Sequence, residues 1–104
     1  MSSTIDDLTI QYEENGEIVI KELNKEVLTK GAWTTILFRY KQIDRKTEDF
    51  GKDMYTIRRY QKQNGEYRPK SKFNISSSKQ ARKIIDALEV WLKEEEDVAA
   101  AAAE

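Results

Sequence analysis

Positively charged and aromatic side chains are interleaved through the middle of this chain. Between Arg39 and Lys83 there are fourteen lysine and arginine residues and five aspartate and glutamate residues, a local charge of +9, whereas the whole chain carries −1. Lysine and arginine neutralise phosphates, and flat rings stack on exposed bases. The pattern therefore predicts a surface that binds single-stranded nucleic acid. The aromatic residues concerned are Phe38, Tyr40, Phe50, Tyr55, Tyr60, Tyr67 and Phe73.

The chain lacks the side chains on which most enzymes depend. It contains no histidine and no cysteine, which removes Ser-His and Cys-His nucleophile pairs, imidazole and thiolate metal ligands, and disulfides. The carboxylates Asp44, Glu48 and Asp49 fall in one polar loop without a phosphate-binding glycine motif, so a Mg²⁺ enzyme is the least favoured interpretation. We expect no catalysis, no cofactor and no bound metal.

A length of 104 residues predicts a single domain. We expect a flexible acidic arm over residues 1–7, a nucleic-acid-binding domain over 8–97, and a tail or cloning scar over 98–104. The chain opens with no basic-then-apolar signal segment and has no run of about 20 apolar residues. These features predict an intracellular protein without a membrane partner, in the cytoplasm or nucleoid, or in a eukaryotic nucleus.

Alternation and turn signals predict an antiparallel meander over residues 8–75. Two Asn-Gly pairs, Asn15-Gly16 and Asn64-Gly65, are strong hairpin signals. Residues 22–30 fit either a strand or a short helical face. Pro69 restricts its own strand to an edge or an irregular start. The predicted strands lie on both sides of Asn15-Gly16, over 33–43, over 54–61 and over 67–75, which gives four strands in the sheet if one strand of the first hairpin joins it, or five if both do.

The end of the chain changes to a helical period and completes an α+β fold, a curved antiparallel sheet followed by a long C-terminal helix. Three serines, 76–78, offer N-caps, and apolar residues then recur at steps of three and four, predicting a helix over 77–97. The helix starts basic and ends acidic, the reverse of what its dipole favours. One small sheet is unlikely to cover the whole apolar face, so we expect a homodimer interface there; the alternative is packing within one chain. The predicted interface residues are Ile84, Ile85, Leu88, Trp91 and Leu92.

Side-chain alternation divides the predicted sheet into two faces. Ile36, Phe38 and Tyr40 form an apolar face that the helix is expected to cover, and the other face of that strand carries Arg39 and Lys41. On the strand 54–61, we place Ile57 in the core and Arg58 outward. The open cationic face would bind a nucleic-acid strand. The alternative is that its aromatic residues are half-buried sheet residues paired across strands.

Five short motifs follow one another along residues 33–95: Phe50-Gly51-Lys52, Ile57-Arg58-Arg59-Tyr60, Asn64-Gly65-Glu66, Arg68-Pro69-Lys70 and Phe73-Asn74-Ile75-Ser76. In pattern and order they resemble the positive cofactor four type of transcriptional coactivators, a family of single-stranded-DNA-binding dimers. The resemblance implies a curved four-stranded sheet backed by a kinked helix, with the helices of two subunits pairing. It also implies that Phe50, Lys52, Arg58, Arg68, Lys70 and Lys72 contact the nucleic acid.

Three departures from the family pattern affect the site. The family's tryptophan after the strand tyrosine is Gln61 here, so a stacking platform is missing or is supplied by Tyr60 or Tyr67. The loop 44–49 is longer than usual, and Lys70 replaces the glycine expected after Pro69.

Three functions therefore remain open from the sequence. The first is a homodimeric single-stranded DNA-binding protein of low sequence specificity, serving as a transcriptional coactivator or as an accessory protein in replication or repair. The second is an RNA-binding module of the same design, because stacking and phosphate contacts do not by themselves distinguish ribose from deoxyribose. The third is a protein interaction module whose basic sheet binds an acidic partner.

Overall fold

A computed structural model describes residues 3–103. The predicted α+β class is confirmed: a curled antiparallel sheet precedes one long helix. The elements are a 3-10 helix (Ile5–Asp7), β1 (Tyr12–Glu14), β2 (Glu17–Thr29), β3 (Trp33–Asp44), β4 (Asp49–Phe50), β5 (Met54–Gln63), β6 (Glu66–Ile75) and α1 (Ser78–Ala103). The strand order is β1-β2-β3-β5-β6, and β4 pairs with β3 off this path. The first hairpin therefore joins the sheet and gives the five-strand path.

Both Asn-Gly pairs form tight turns. Asn15 and Gly16 have φ values of 53° and 82°, and Asn64 and Gly65 have 52° and 79°. Positive φ at both central residues is what a type I′ turn requires, and its twist matches that of the flanking strands. The turns connect β1 to β2 and β5 to β6 directly. β6, which contains Pro69, is an edge strand as expected.

One side of the sheet, which we call the core face, carries the buried cluster. Ile36 and Phe38 on β3 are completely buried there. Leu8, Tyr60 and Tyr67 complete the cluster, with Ile5, Ile10 and Val27 packed against it. Since Leu8, Ile5 and Ile10 all precede β1, the N-terminal segment covers this face.

The opposite side, the helix face, lies beneath the first half of α1. Leu37, Tyr55 and Ile57 point to this side and, with Ile75 and the helix residues Ile84 and Leu88, line an apolar groove of about 520 Å³. The expectation that the helix covers Ile36, Phe38 and Tyr40 is therefore wrong. Ile57 packs towards the helix, and Arg58 shares the core face with Ile36, its direct cross-strand partner.

A single lysine holds the N-terminal segment in place. Lys25 Nζ donates hydrogen bonds to the carbonyl oxygens of Ile5 at 2.7 Å, Asp6 at 3.1 Å and Leu8 at 2.7 Å. Three donors are all that an ammonium group has, so its hydrogen-bonding capacity is used here. The segment predicted to be a flexible arm is thus anchored over residues 5–8. Residues 1 and 2 of that arm, and residue 104 of the predicted tail, lie outside the described residues.

The helix begins where the serine run predicts. Ser77 Oγ accepts a hydrogen bond from the backbone N–H of Gln80 at 3.0 Å, and Gln80 Oε1 accepts one from the N–H of Ser76 at 2.6 Å. These contacts satisfy donors that the first helical turn leaves free. At its other end α1 continues to Ala103, so the described part of the predicted tail is helical.

The helix extends well beyond the sheet. At 1.5 Å per residue its 26 residues span about 39 Å, and its main contacts with the sheet are to β6. The radius of gyration is 17.5 Å, whereas a compact domain of this length has about 13 Å. The apolar face of the distal half of α1 is consequently left uncovered within the chain.

We predict that Lys25→Met destabilises the fold by about 2 kcal/mol, because the three carbonyl groups lose a charged donor while the aliphatic stem is kept. Urea denaturation would measure the loss, and hydrogen exchange would show faster opening of residues 5–10. Lys21→Met is the matched control on the same strand, since Lys21 is exposed. Equal effects of the two substitutions would contradict the anchoring role.

Candidate nucleic-acid interface

Two cations of the β5–β6 hairpin face each other directly. Arg58 and Lys72 are cross-strand partners, and like charges in that position destabilise a sheet. Lys70 lies beside them at a bulge where Tyr60 pairs with Pro69 and Arg59 pairs with Ser71. We call Arg58, Lys70 and Lys72 the basic groove, because together with Pro69 and Ser71 they line a depression of about 220 Å³ without any acidic residue in its wall.

The cations of the basic groove are not neutralised within the described residues. The ion pairs found over residues 3–103 involve none of the three. Arg58 Nε donates a hydrogen bond to Thr56 Oγ1 at 3.2 Å, which orients the guanidinium without neutralising it. Lys70 and Lys72 are exposed. The groove therefore offers three positive charges to a partner.

A second hollow continues from Arg58 and Pro69 towards the first hairpin. It has a volume of about 390 Å³, and its wall includes Thr9, Ile10, Tyr12 and one acid, Asp7. The Tyr12 ring is 54% exposed, so an aromatic surface lies next to the cations. Sequence reasoning missed Tyr12 as a site residue, because β1 lies at the opposite end of the strand order from β6 and only the three-dimensional structure brings Tyr12 to the same hollow as Arg58.

Tyr60 and Tyr67 do not offer the stacking surface expected of them. They are 5% and 7% exposed and belong to the core cluster. Burial raises the pKa of the Tyr60 phenol, with the positive charge of Arg58 opposing that shift. Tyr60 therefore forms part of the floor of the hollow, and its ring face is occupied by core packing.

Arg39 and Lys41 lie on the helix face and share an acidic partner. Arg39 Nε donates to Asp53 Oδ2 at 2.8 Å, with a second bond from Nη2, and Nη1 donates to Asn24 Oδ1 at 3.2 Å. Lys41 Nζ lies 3.4 Å from Asp53 Oδ1. The hydrogen bond from Arg39 holds the pKa of Asp53 below its usual value, and the same contact raises the pKa of Arg39. These two cations are partly neutralised.

Phe50 and Lys52 lie on a third part of the surface, near the end of β3. Phe50 on β4 pairs with Ile43 near the end of β3, and Lys21 Nζ lies 5.9 Å from its ring centroid. Ile43 lies seven positions along β3 from Ile36, the partner of Arg58, which corresponds to about 23 Å of extended strand. Lys52 is exposed in the turn after β4. This pair is therefore not part of the basic groove.

Arg68 completes the predicted set and is also outside the groove. It pairs with Gln61 on the helix face, and its Nε is buried without a hydrogen-bond partner in the described chain. Of the nine predicted contact residues, the structure thus brings three together, Arg58, Lys70 and Lys72, and it buries Tyr60. The other five lie on other surfaces: Arg39, Lys41, Phe50, Lys52 and Arg68.

Most of the predicted interface residues of α1 are uncovered. Ile85 is 41% exposed, Leu88 46%, Trp91 62% and Leu92 52%, whereas Ile84 is half-buried against the sheet. The alternative in which all five pack within one chain is not what the structure shows. A continuous apolar surface of this kind marks a contact site in soluble proteins.

No family model, curated protein or solved structure matches the chain. The resemblance to the positive cofactor four type of coactivators therefore rests on the sequence motifs alone. Over residues 3–103 there is no group of three or more acidic side chains placed to hold a metal ion. No helix in this range has the length and apolar character needed to cross a membrane.

We predict that the contribution of Asp53 to stability depends on pH. Its pKa is lowered in the folded chain, so the folded state binds fewer protons at this group than the unfolded state. The stabilisation is therefore present above the ordinary aspartate pKa of about 3.9 and is lost as pH falls through the lower folded value. Asp53→Asn should destabilise the protein at pH 7, and this difference should shrink progressively as the pH is lowered below about 3.9, measured by urea denaturation. Asp86→Asn, an exposed change on α1, is the control, and a difference for Asp53→Asn that persists undiminished at pH 2 would contradict the assignment.

Proposed function

We propose that the chain is a homodimeric single-stranded DNA-binding protein of low sequence specificity. The observation that carries the proposal is the basic groove, in which Arg58 and Lys72 face each other without a counter-ion among the described residues. In this role the protein serves where single strands are exposed, as a coactivator in transcription or as an accessory protein in replication or repair. The motif resemblance supports the same function.

A bound phosphate relieves the repulsion that the hairpin carries when empty. Arginine presents planar, paired N–H donors to phosphate oxygens, and lysine adds a mobile point charge. With Arg58 on β5 and both lysines on β6, a phosphate between the strands meets cations from two sides. The unfavourable cross-strand pair thereby becomes part of a binding site.

The chemistry of the groove explains why little sequence preference is expected. Phosphate contacts position a strand without reporting its sequence. The neighbouring Tyr12 ring offers stacking, which tolerates any base because every base has a π-face. A single strand suits the site better than a duplex, because its unstacked bases reach the hollow beside Arg58.

We predict that the triple variant Arg58→Gln/Lys70→Gln/Lys72→Gln binds a labelled 20-nucleotide DNA strand at least tenfold more weakly than the unmodified chain. Fluorescence anisotropy at several salt concentrations measures the change. Each lost phosphate contact should also reduce the slope of log affinity against log salt by about 0.7.

The matched control changes the same number of charges elsewhere. Lys21→Gln/Lys30→Gln/Lys46→Gln removes three exposed lysines that lie outside the basic groove and outside α1 and should leave affinity and salt slope nearly unchanged. Equal weakening by both variants would mean that net charge, rather than the groove, governs binding. Preference for a matched RNA strand would indicate an RNA-binding module, and absence of binding to either strand would indicate a protein partner.

The dimer part of the proposal rests on α1. Its uncovered apolar face continues from the groove beneath the helix, where Leu28 and Ile85 are also exposed. The first two turns of α1 carry Lys79, Arg82 and Lys83, and the acidic run Glu94–Asp97 lies in its distal half, before the alanines that continue the helix to Ala103. Antiparallel pairing with a second copy places the basic start of one helix beside the acidic run of the other, so that opposite charges meet across the contact.

We predict that Leu88→Lys dissociates the dimer, because a lysine would be buried in the apolar contact. Sedimentation velocity over a concentration series measures the shift to monomer. Val90→Lys is the matched control, since Val90 is 56% exposed and lies about 200° away around the helix. A chain that is monomeric without substitution, or dissociation by both variants alike, would contradict this interface.

A further inference from the structure

An exposed tryptophan at the start of β3 is stacked with an arginine. The Arg59 guanidinium carbon lies 4.5 Å from the Trp33 ring centroid, and the ring remains 42% exposed. Neither residue lines the apolar groove beneath α1 or the basic groove. This pair is therefore a separate surface feature, used neither by the core nor by the contacts described above.

A third residue on the same face has an unsatisfied donor. Trp33 pairs with Gln61, and Gln61 pairs with Arg68, so the three lie in one row across β3, β5 and β6. Neighbouring strands are about 4.8 Å apart, which places the backbones of Trp33 and Arg68 about 10 Å apart. The Arg68 Nε is buried without an acceptor in the described chain, whereas the residue as a whole is only half-buried, so contact with a phosphate falls to the four N–H donors on Nη1 and Nη2.

We infer that Trp33 and Arg59 form a base-stacking platform for a single nucleic-acid strand, with Arg68 holding an adjacent phosphate. This inference rests on the proposed function and adds a second contact region on the opposite face of the β5–β6 hairpin. Bases stack on aromatic rings and on guanidinium planes alike, and the pair offers both. Ser71, exposed on the edge strand, pairs with Arg59 and also lines the basic groove, so it connects the two regions.

The observations favour a base over an acidic protein segment. A carboxylate would compete for the Arg59 guanidinium and gain nothing from the indole ring, whereas a base gains from both surfaces. The Arg59 guanidinium already lies over the Trp33 ring, where its positive charge is attracted to the electron-rich ring face, as in other cation–π pairs. A flat, uncharged π-system with a phosphate beside it matches the platform and Arg68 together.

Tryptophan fluorescence tests the platform directly. In the Trp91→Phe background Trp33 is the sole tryptophan, because the chain contains two. Titration with a 20-nucleotide thymidine strand should quench its emission, whereas a fully abasic strand of equal length should bind the cations without quenching it. Trp33→Ala should weaken binding of the thymidine strand about 5- to 150-fold, with the abasic strand unaffected and Trp33→Phe recovering part of the loss.

Each outcome separates the two proposals. If the thymidine strand binds but Trp33 emission and the affinity of Trp33→Ala are unchanged, the platform is wrong and the basic groove alone binds the strand. If the abasic strand quenches Trp33 equally, the signal does not come from stacking, and the platform is again overturned. If neither strand binds, the proposed function fails and the platform with it. Circular dichroism of Trp33→Ala checks that the sheet is intact.

Discussion

The N-terminal segment determines which surfaces of this protein remain free. A curled sheet has two apolar faces to cover, and the chain supplies one helix and one short segment to cover them. Leu8 and its neighbours occupy the core face, where Lys25 uses its three donors to fix the segment. The helix is consequently restricted to the opposite face. Because α1 follows directly after β6, which ends at Ile75, it covers only one end of that face.

That arrangement leaves charges and apolar surface separated in space. The cations of the basic groove lie at the edge of the core face, where the covering segment reaches only the hollow beside Arg58, and the distal half of α1 presents its apolar residues away from the sheet. Arg39 and Lys41 show the contrast, because Asp53 lies beside them. What distinguishes Arg58, Lys70 and Lys72 is that three cations without an ion pair among the described residues line one depression that holds no carboxylate.

Much of the fold follows from local sequence signals, and most of the site does not. The Asn-Gly turns, the serine N-cap and the helical spacing after Ser78 are each determined by a few adjacent residues, so the sequence predicts them.

The face assignments depend on which distant segment covers which side. Alternation correctly separates Ile36 from Leu37 but does not show that Leu8 rather than α1 covers Ile36. The sequence places Tyr60 among the nucleic-acid contacts for the same reason, because only the tertiary structure shows that its ring packs in the core. Lys70 and Lys72 meet Arg58 through a bulge whose position the sequence does not reveal.

The bulge at Pro69 links the fold to its binding chemistry. Proline donates no backbone hydrogen bond, and β6 tolerates it because β6 is an edge strand, whose outer side has no partner strand. Such an edge would otherwise recruit another strand, but the lysines on both sides of Ser71 make pairing with a further cationic strand unfavourable. A polyanion meets no such penalty. The same residues that protect the edge from aggregation thus make it attractive to a phosphate backbone, and the hairpin needs no additional element to serve both purposes.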